Sequence, residues 1–475
     1  MKPNKQFTLS CIAIAICQAL LIQSSGAATV TVTSQSDETP LSNPDGCTLR
    51  DAIVSTNTAS VSADCTTSTS GTFGIDDTIL FSSSLSGTIS LNNEIMVTTT
   101  VEIVGPGEDA LTLDNTSTPR VLFLNEADDV VVSDLTFNSA AAVNAIYVLN
   151  SDNVVLRNNR FTNFDGGHGV YAYNSNGFQM ENCILAGNSG SVGGALNIRR
   201  ADSFSVTNSL FYDNYASNQG GGISVIDSTN GVIRANTVSG NSASKGGGIS
   251  VFRSNNITIA DTTISGNHSV DAPGLNDDRG GGLFLSSTGS TEPSNIFVHN
   301  STISGNSSGL WGGGVYSSNR LSSTWVNNTI VNNYVTMPGN GGGIKLITGA
   351  GLSLGANNII ANNSGGDCDQ LLIFSDQASN WIGDDSCTGE ADGEPMLGPL
   401  EDNKGPTLTH KPLPASKLNR AGDTTACNDT PINGLDQRGV KRGERTCTIG
   451  AVEFIDNGSF FTIPMNNGKS IIFSL

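Results

Sequence analysis

The chain has 475 residues, a formal net charge of −20 at pH 7 and 55 glycines, yet only 14% of its residues are charged. So acidic a surface repels nucleic acid and anionic membranes, which excludes partners of that kind. Disorder is also excluded, because Val, Ile, Leu and Phe recur regularly among abundant Gly, Ser, Asn and Thr, a balance that suits tightly turned β structure.

Residues 1–27 have the form of a secretory signal. Lys2 and Lys5 precede an apolar run over residues 9–22, and Ser25-Gly26-Ala27 supplies small residues for cleavage. The run is short for a membrane span and is interrupted by Ser10, Cys11 and Gln18. No later stretch is apolar enough over sufficient length to cross a bilayer. The mature chain is therefore expected to be secreted or displayed at the cell surface, with no transmembrane segment. Loss of Lys2 and Lys5 lowers its charge to about −22.

Beyond the signal, Cys47 and Cys65 lie near the start, while Cys368, Cys387, Cys427 and Cys447 lie toward the end. In an exported chain these six are expected to form disulfides, in a pairing that spacing alone leaves open. Cys183 is left over and is expected to be a small buried residue. No Cys or His spacing resembles a zinc site, and no cofactor is expected. Residues 47–53 place Leu49, Ala52 and Ile53 on one helical face, as a lid over an open end would need.

From Gly193 onward one phrase repeats. It opens on glycines and an apolar residue: Gly193-Gly194-Ala195, Gly220-Gly221-Gly222-Ile223, Gly246-Gly247-Gly248-Ile249, Gly280-Gly281-Gly282-Leu283, Gly312-Gly313-Gly314-Val315 and Gly341-Gly342-Gly343-Ile344. It closes on Asn214, Asn241, Asn267, Asn306, Asn333 and Asn362. All but one copy share one length; the copy from Gly280 to Asn306 is longer, with an inserted loop over residues 286–294. Counting the first glycine as zero, positions three and five are apolar (Ile223 and Val225, Ile249 and Val251), as are positions 11 and 13 (Phe204 and Val206, Ile257 and Ile259). Position 18 adds Phe211, Val238, Ile264, Ile330 and Ile359. Alternation of this kind marks short strands with one buried face.

The same frame extends upstream from Gly167, Val143 and Pro119, giving nine coils of three short strands each. A single coil buries too little to offset its ordering entropy, so coils must stack. The corner asparagines would then lie above one another, each amide bonding the next coil. A propeller needs longer repeats, and an α-solenoid needs helical periodicity. The expected fold is all-β: a right-handed single-stranded parallel β-helix with an N-terminal cap and a small C-terminal module.

On the first strand of each coil, positions four and six point away from the lumen. Down the stack they include Phe123, Tyr147, Leu149, Tyr171, Tyr173, Arg199, Ile226, Phe252, Phe284, Tyr316 and Lys345, with His168, Tyr215, Lys245, Trp311 and Tyr334 on bordering loops. Aromatic platforms among polar donors suit sugar rings or a protein partner. The candidate ligand-binding residues are accordingly Tyr147, Tyr171, Tyr173, Arg199, Phe252, Trp311 and Tyr316. The competing reading is that a loop or the C-terminal module packs over the stripe. The longest joint, from His268 to Arg279, carries Asp271, Asp277 and Asp278, and Asp227 and Arg253 occupy position seven of adjacent coils. These sketch a weak uronan-modifying site, for which calcium would be a possible cofactor, but an ion-pair ladder explains them as well. No pair of acids has a glycosidase spacing.

Three family resemblances accompany this reading. The glycine triplets with Phe211-Tyr212-Asp213-Asn214 resemble the repeats of the polymorphic outer-membrane proteins. Cys47-Thr48-Leu49-Arg50-Asp51-Ala52-Ile53, with Val30-Thr31-Val32, Asp37-Glu38, Ile79-Leu80-Phe81 and Val104-Gly105-Pro106-Gly107, resembles the CSLREA domain. Asp436-Gln437-Arg438-Gly439 with Ile449-Gly450-Ala451-Val452-Glu453 resembles the choice-of-anchor Q domain. They imply a division into signal (1–27), cap and first strands (28–114), repeats (115–375), C-terminal module (376–455) and tail (456–475), and a place on the outer side of a bacterial envelope. The expected function is a noncatalytic adhesin-like rod binding a carbohydrate or a cell-surface or matrix component. The alternative is a pectate-lyase-like polysaccharide lyase or epimerase, and a spacer that binds nothing is the third possibility.

Overall fold

The computed structural model describes residues 27–37, 46–115, 120–139, 144–270, 277–288, 294–318, 321–347, 351–369, 379–387, 391–455, 460–464 and 470–474. The signal segment 1–26 and Asp271 lie outside these residues, as do Val143 and Pro119.

The chain winds through parallel sheets whose neighbours are successive coils. The first sheet has ten strands, from Ile95–Val97 to Ile344–Leu346. The second has 13, ending at Gly351–Leu354, and the third has 12, ending at Trp381–Ile382. Inward positions stack in register: Ile223 pairs with Leu196 and Ile249, and Phe211 with Leu185 and Val238. Phe137, Phe161, Phe178, Phe204 and Trp325 fill the lumen and are fully buried. The strands are paired on both sides along the stack, so one continuous core runs from Val30 to Cys387.

The three strands expected per coil become four where the glycine phrase occurs. A six-stranded fourth sheet runs from Ser189–Val192 through Tyr215–Gln219, Ser242–Lys245, His268–Ser269 and Ser307–Ser308 to Tyr334–Val335. The glycines are the joint between this sheet and the first. Gly246 has φ of +63°, and a Cβ on Gly247 would meet the His268 carbonyl oxygen at 2.2 Å and that of Gly281 at 2.6 Å. Only glycine lets adjacent turns approach so closely.

The corner asparagines form a buried ladder from Asn188 through Asn214, Asn241, Asn267, Asn306 and Asn333 to Asn363. Each Nδ2 donates to the next Oδ1 at 2.9–3.0 Å. The ladder closes on Asn363 rather than the expected Asn362. The same one-residue slip puts Ile360, not Ile359, in the lumen, since Ile330 pairs with Ile360. The last coil has one residue more between glycine and ladder, inserted at the joint after Leu354, since Trp325 still pairs with Leu354 but Thr329 pairs with Ile359; beyond it Asp367 Oδ1 ends the ladder by accepting from Asn363 Nδ2 at 2.8 Å. A second corner carries its own ladder, Asn328 to Asn358 to Asn380.

At the N-terminal end, helix α1 (Leu49–Thr58) buries Leu49, Ala52 and Ile53 and touches the strands Thr29–Val32 and Ile95–Val97. Thr48 and Asp51 form a reciprocal capping box that fixes the helix start. The disulfides are Cys47–Cys65, Cys368–Cys387 and Cys427–Cys447, while Cys183 is free and buried.

The C-terminal residues fold around an antiparallel pair (Leu397–Glu401 with Thr409–Pro412) and the short helix α2 (Thr424–Asn428). They pack on the outer side of the third sheet. Gln437 receives a bond from Thr302 Oγ1 at 2.6 Å and donates to Thr263 Oγ1 at 3.0 Å, while His410 Nε2 meets Ser304 Oγ at 2.8 Å. Val331, Ile359, Trp381, Leu418 and Ile449 make a separate apolar cluster there. Ile359 points outward into this cluster, which is why an apolar residue stands at an outward position. The tail carries a further hairpin, Phe460–Pro464 with Ser470–Ser474.

Candidate functional site

The outward row of the first sheet runs in register from Phe123 through Tyr147, Tyr171, Asn197, Ser224, Ser250, Phe284 and Tyr316 to Lys345. Neighbouring strands lie about 4.8 Å apart, so like side chains stack face to face. Phe123 and Tyr147 stack at 5.5 Å between centroids, and Tyr147 and Tyr171 at 4.9 Å. Tyr171 meets Tyr173 and His168 edge-on. The Arg120 guanidinium lies 4.4 Å over Phe123, and Arg200 lies 5.5 Å over Tyr173 and bonds its hydroxyl. Beyond the three intervening coils of Asn197, Ser224 and Ser250, a second platform forms. Phe284 and Tyr316 stack at 5.3 Å, Trp311 tilts against Tyr316, and Arg279 covers both Trp311 and Tyr316.

Not all of the expected stripe faces solvent. Tyr316 and Phe284 are 3% exposed, and Phe123 and Ile226 are also buried. Their outward direction is as expected, but the stacked neighbour and the overlying cation or indole cover their faces. Tyr147, Tyr171, Tyr173, Arg199, Phe252 and Trp311 are half-buried. Burial raises the Tyr147, Tyr171 and Tyr316 hydroxyls above the usual range and lowers the His168 imidazole, so these groups are neutral hydrogen-bonding partners. The C-terminal module covers the third sheet instead of this stripe.

Between the platforms the floor is small and polar. Asn197, Ser224 and Ser250 are 5%, 0% and 0% exposed, and Asn197 Oδ1, Ser224 Oγ and Ser250 Oγ have no hydrogen-bond partner. Buried polar atoms of this kind are uncommon and call for an explanation. Ion pairs edge the floor. Arg253 grips Asp227 with two bonds of 2.7 and 2.8 Å, and Arg199 approaches the same carboxylate at 3.9 Å. On the other side Asp277 bridges Lys245 at 2.5 Å and Arg279 at 2.6 Å. Lys345 pairs with Asp369 at 2.7 Å.

The two acid–base groups lie at opposite ends of the strands, since Asp227 and Arg253 follow a strand whereas Lys245, Asp277 and Arg279 precede one. They are not brought into one site. Among the described residues no three His, Cys, Asp or Glu side chains converge as a metal centre requires, and the carboxylates of this face are held by cations. Asp436, in the Asp436-Gln437-Arg438-Gly439 segment, accepts from the backbone N–H groups of Arg438, Val440 and Glu453 and from the Arg438 guanidinium, so it holds a turn. Arg120 and Arg200 were not among the expected site residues. The strand register could have found both, because each flanks an aromatic on the outward row.

No curated protein matches the chain. Among solved structures, pectate lyase Pel9A superposes with a TM-score of 0.50 at 14% identity, covering 90% of this chain and 98% of that one. The A-module of the Azotobacter vinelandii mannuronan C-5 epimerase AlgE4 aligns at 11% identity and a TM-score of 0.33, covering 70% and 96%. The family 6 alginate lyase AlyGC aligns at 13% and 0.37, covering 87% and 58%. Identities this low speak for the coil alone. The profile of the right handed beta helix region matches residues 120–295 and 218–380, more than half of the sequence, and the chain belongs to that family.

Proposed function

We propose that the protein is an exported, noncatalytic rod that binds a glycan along the outer face of its first sheet. The observation that supports this most is the half-buried aromatic platform of Tyr147, Tyr171 and Tyr173, with the half-buried Trp311 further along the same face. Rings offer apolar surface to sugar faces, and the cationic side chains beside them offer donors to hydroxyls and carboxylates. Arg120, Arg199, Arg200, Lys245, Arg253, Arg279 and Lys345 concentrate on this face of a chain whose net charge is −20. They outnumber the carboxylates of Glu94, Asp227, Asp277 and Asp369 that pair with all of them but Arg200, which favours an anionic polysaccharide. The signal-like leader, the CSLREA-like cap and the choice-of-anchor Q-like module agree with display outside the cell.

The second reading is a polysaccharide lyase or epimerase, supported by the coil shared with pectate lyase Pel9A. One experiment separates the two. The purified mature chain is incubated with polygalacturonate, alginate and a neutral glucan, with and without calcium, and both retention and unsaturated or epimerised products are measured. Retention on the uronates without product, abolished by salt and weakened in Tyr147→Ser and Tyr171→Ser, is the expected result. Sustained turnover would replace the first reading by the second.

A further inference from the structure

A separate cleft of about 300 Å³ opens on the fourth sheet, around the corner from the aromatic row. In that sheet His268 pairs with Ser307 and Ser307 with Tyr334, so a small serine lies between two large exposed side chains. Two coil spacings of about 4.8 Å separate His268 from Tyr334, room for one sugar ring between them. His268 Nδ1 bonds Ser307 Oγ at 2.6 Å. Tyr334 is 46% exposed and Val270 59%, giving the cleft an aromatic and an aliphatic wall. Asp278, Thr336 and Gly309 complete it. The floor is rigid, since Ser269 Oγ donates to Ser308 Oγ at 2.7 Å and Trp311 N donates to Ser308 Oγ at 3.1 Å.

We propose that this notch is a second binding site, independent of the first-sheet face, that takes one neutral sugar residue. An exposed ring beside an imidazole, hydroxyls and a carboxylate matches a polyhydroxylated ring with alternating apolar and polar edges. Among the described residues the cleft has no lysine or arginine in its lining, unlike the first-sheet face, so a uronate finds no counter-charge among them.

Saturation-transfer NMR on the mature chain with glucose, galactose, mannose and N-acetylglucosamine tests the site. At least one sugar should receive transfer, and Tyr334→Ala should weaken it by about tenfold, the scale of one lost aromatic contact. Thr336→Trp, which fills the cleft without removing a wall, should abolish it. Tyr147→Ser and Tyr171→Ser should leave it unchanged even where they weaken polymer retention, which keeps failure of this site distinct from failure of the first-sheet reading. Absence of transfer from all four sugars overturns the proposal, as does transfer that survives both Tyr334→Ala and Thr336→Trp in folded protein.

Discussion

Asn306 accepts two hydrogen bonds at its Oδ1 from Asn267, one from the backbone N–H at 3.0 Å and one from Nδ2 at 2.9 Å. The two residues are 39 positions apart, whereas Asn241 and Asn267 are 26 apart and bonded in the same way. The extra residues of that coil leave the ladder undisturbed. Insertions are absorbed at joints because the corner is held by its own buried network.

Asn306→Ala should therefore be among the most disruptive single changes in the coil. It removes donation to the Ile264 carbonyl and to Asn333 Oδ1, and strands the groups of Asn267 in a dry corner. Leaving buried groups unpaired costs about 1–3 kcal/mol each, so a loss of roughly 3–4 kcal/mol is expected. Urea unfolding measures it, and a change within about 0.5 kcal/mol would contradict the ladder's role.

The outward aromatics should divide by burial. Tyr171→Ser at a half-buried position should shift stability by about 1 kcal/mol or less. Tyr316→Ser, beneath Phe284, Trp311 and Arg279, should cost about 3 kcal/mol, as large-to-small changes in packed sites do. Thermal melts of the two variants side by side decide whether the row is packing throughout or only at its second platform.

Two buried groups near the seam between coil and C-terminal module should give opposite pH dependences. Burial raises the Asp261 carboxyl to about 6, outweighing the pull of Arg234 at 3.3 Å. Between its usual value of 3.8 and about 6 the unfolded chain has lost this proton and the folded chain keeps it. Stability from this group thus falls as pH rises through that window, by roughly 3 kcal/mol for a shift of about two units, and is flat above it. His299, lowered to about 4 by burial and then by Arg234, behaves in the other sense. Its contribution falls as pH drops from its usual 6.5 to about 4. Asp261→Asn should therefore gain on the parent protein as pH rises from about 4 to 6, whereas His299→Gln should gain as it falls over that range; unfolding curves at both ends of the range read the differences.

Removing the Cys47–Cys65 disulfide with paired serines should loosen the N-terminal end first. The bond spans 18 positions and ties the start of α1 to the turn beneath it. Closing a loop of that size stabilises by about 3 kcal/mol in the chain-entropy description. Hydrogen exchange should rise over Thr29–Val32 and α1 while the coils from Leu196–Arg199 to Val315–Ser317 stay protected; uniform acceleration along the rod would show that the cap does not open separately.

The repeat length was enough to sort side chains between lumen and surface in almost every coil. Val148, Met180 and Ile259 are in the lumen as their positions in the phrase require. The exceptions have local causes. The register shifts by one at Ile359 and Asn362 because the joint after Leu354 in the final coil holds one residue more than the same joint in the coil before it. The fourth strand is not legible in the sequence because Ser242 to Lys245 and Ser307 to Ser308 lack the apolar alternation that marks a strand. Asn197, Ser224 and Ser250 are equally silent, because small polar residues on an outer face carry no signal until their burial is known.

From sequence alone follow the stacked coil, its apolar lumen, the asparagine corners and the direction of each strand residue, because these depend on a short covalent period. Exposure does not. Tyr171 and Tyr316 hold the same position in the phrase, yet one keeps an edge in solvent and the other lies under the Trp311 indole of its own coil and the Arg279 guanidinium supplied by the coil before it. The seat of the C-terminal module on the third sheet is equally nonlocal, fixed by threonines such as Thr263 and Thr302 that look like ordinary surface residues until Gln437 reaches them across 174 and 135 positions.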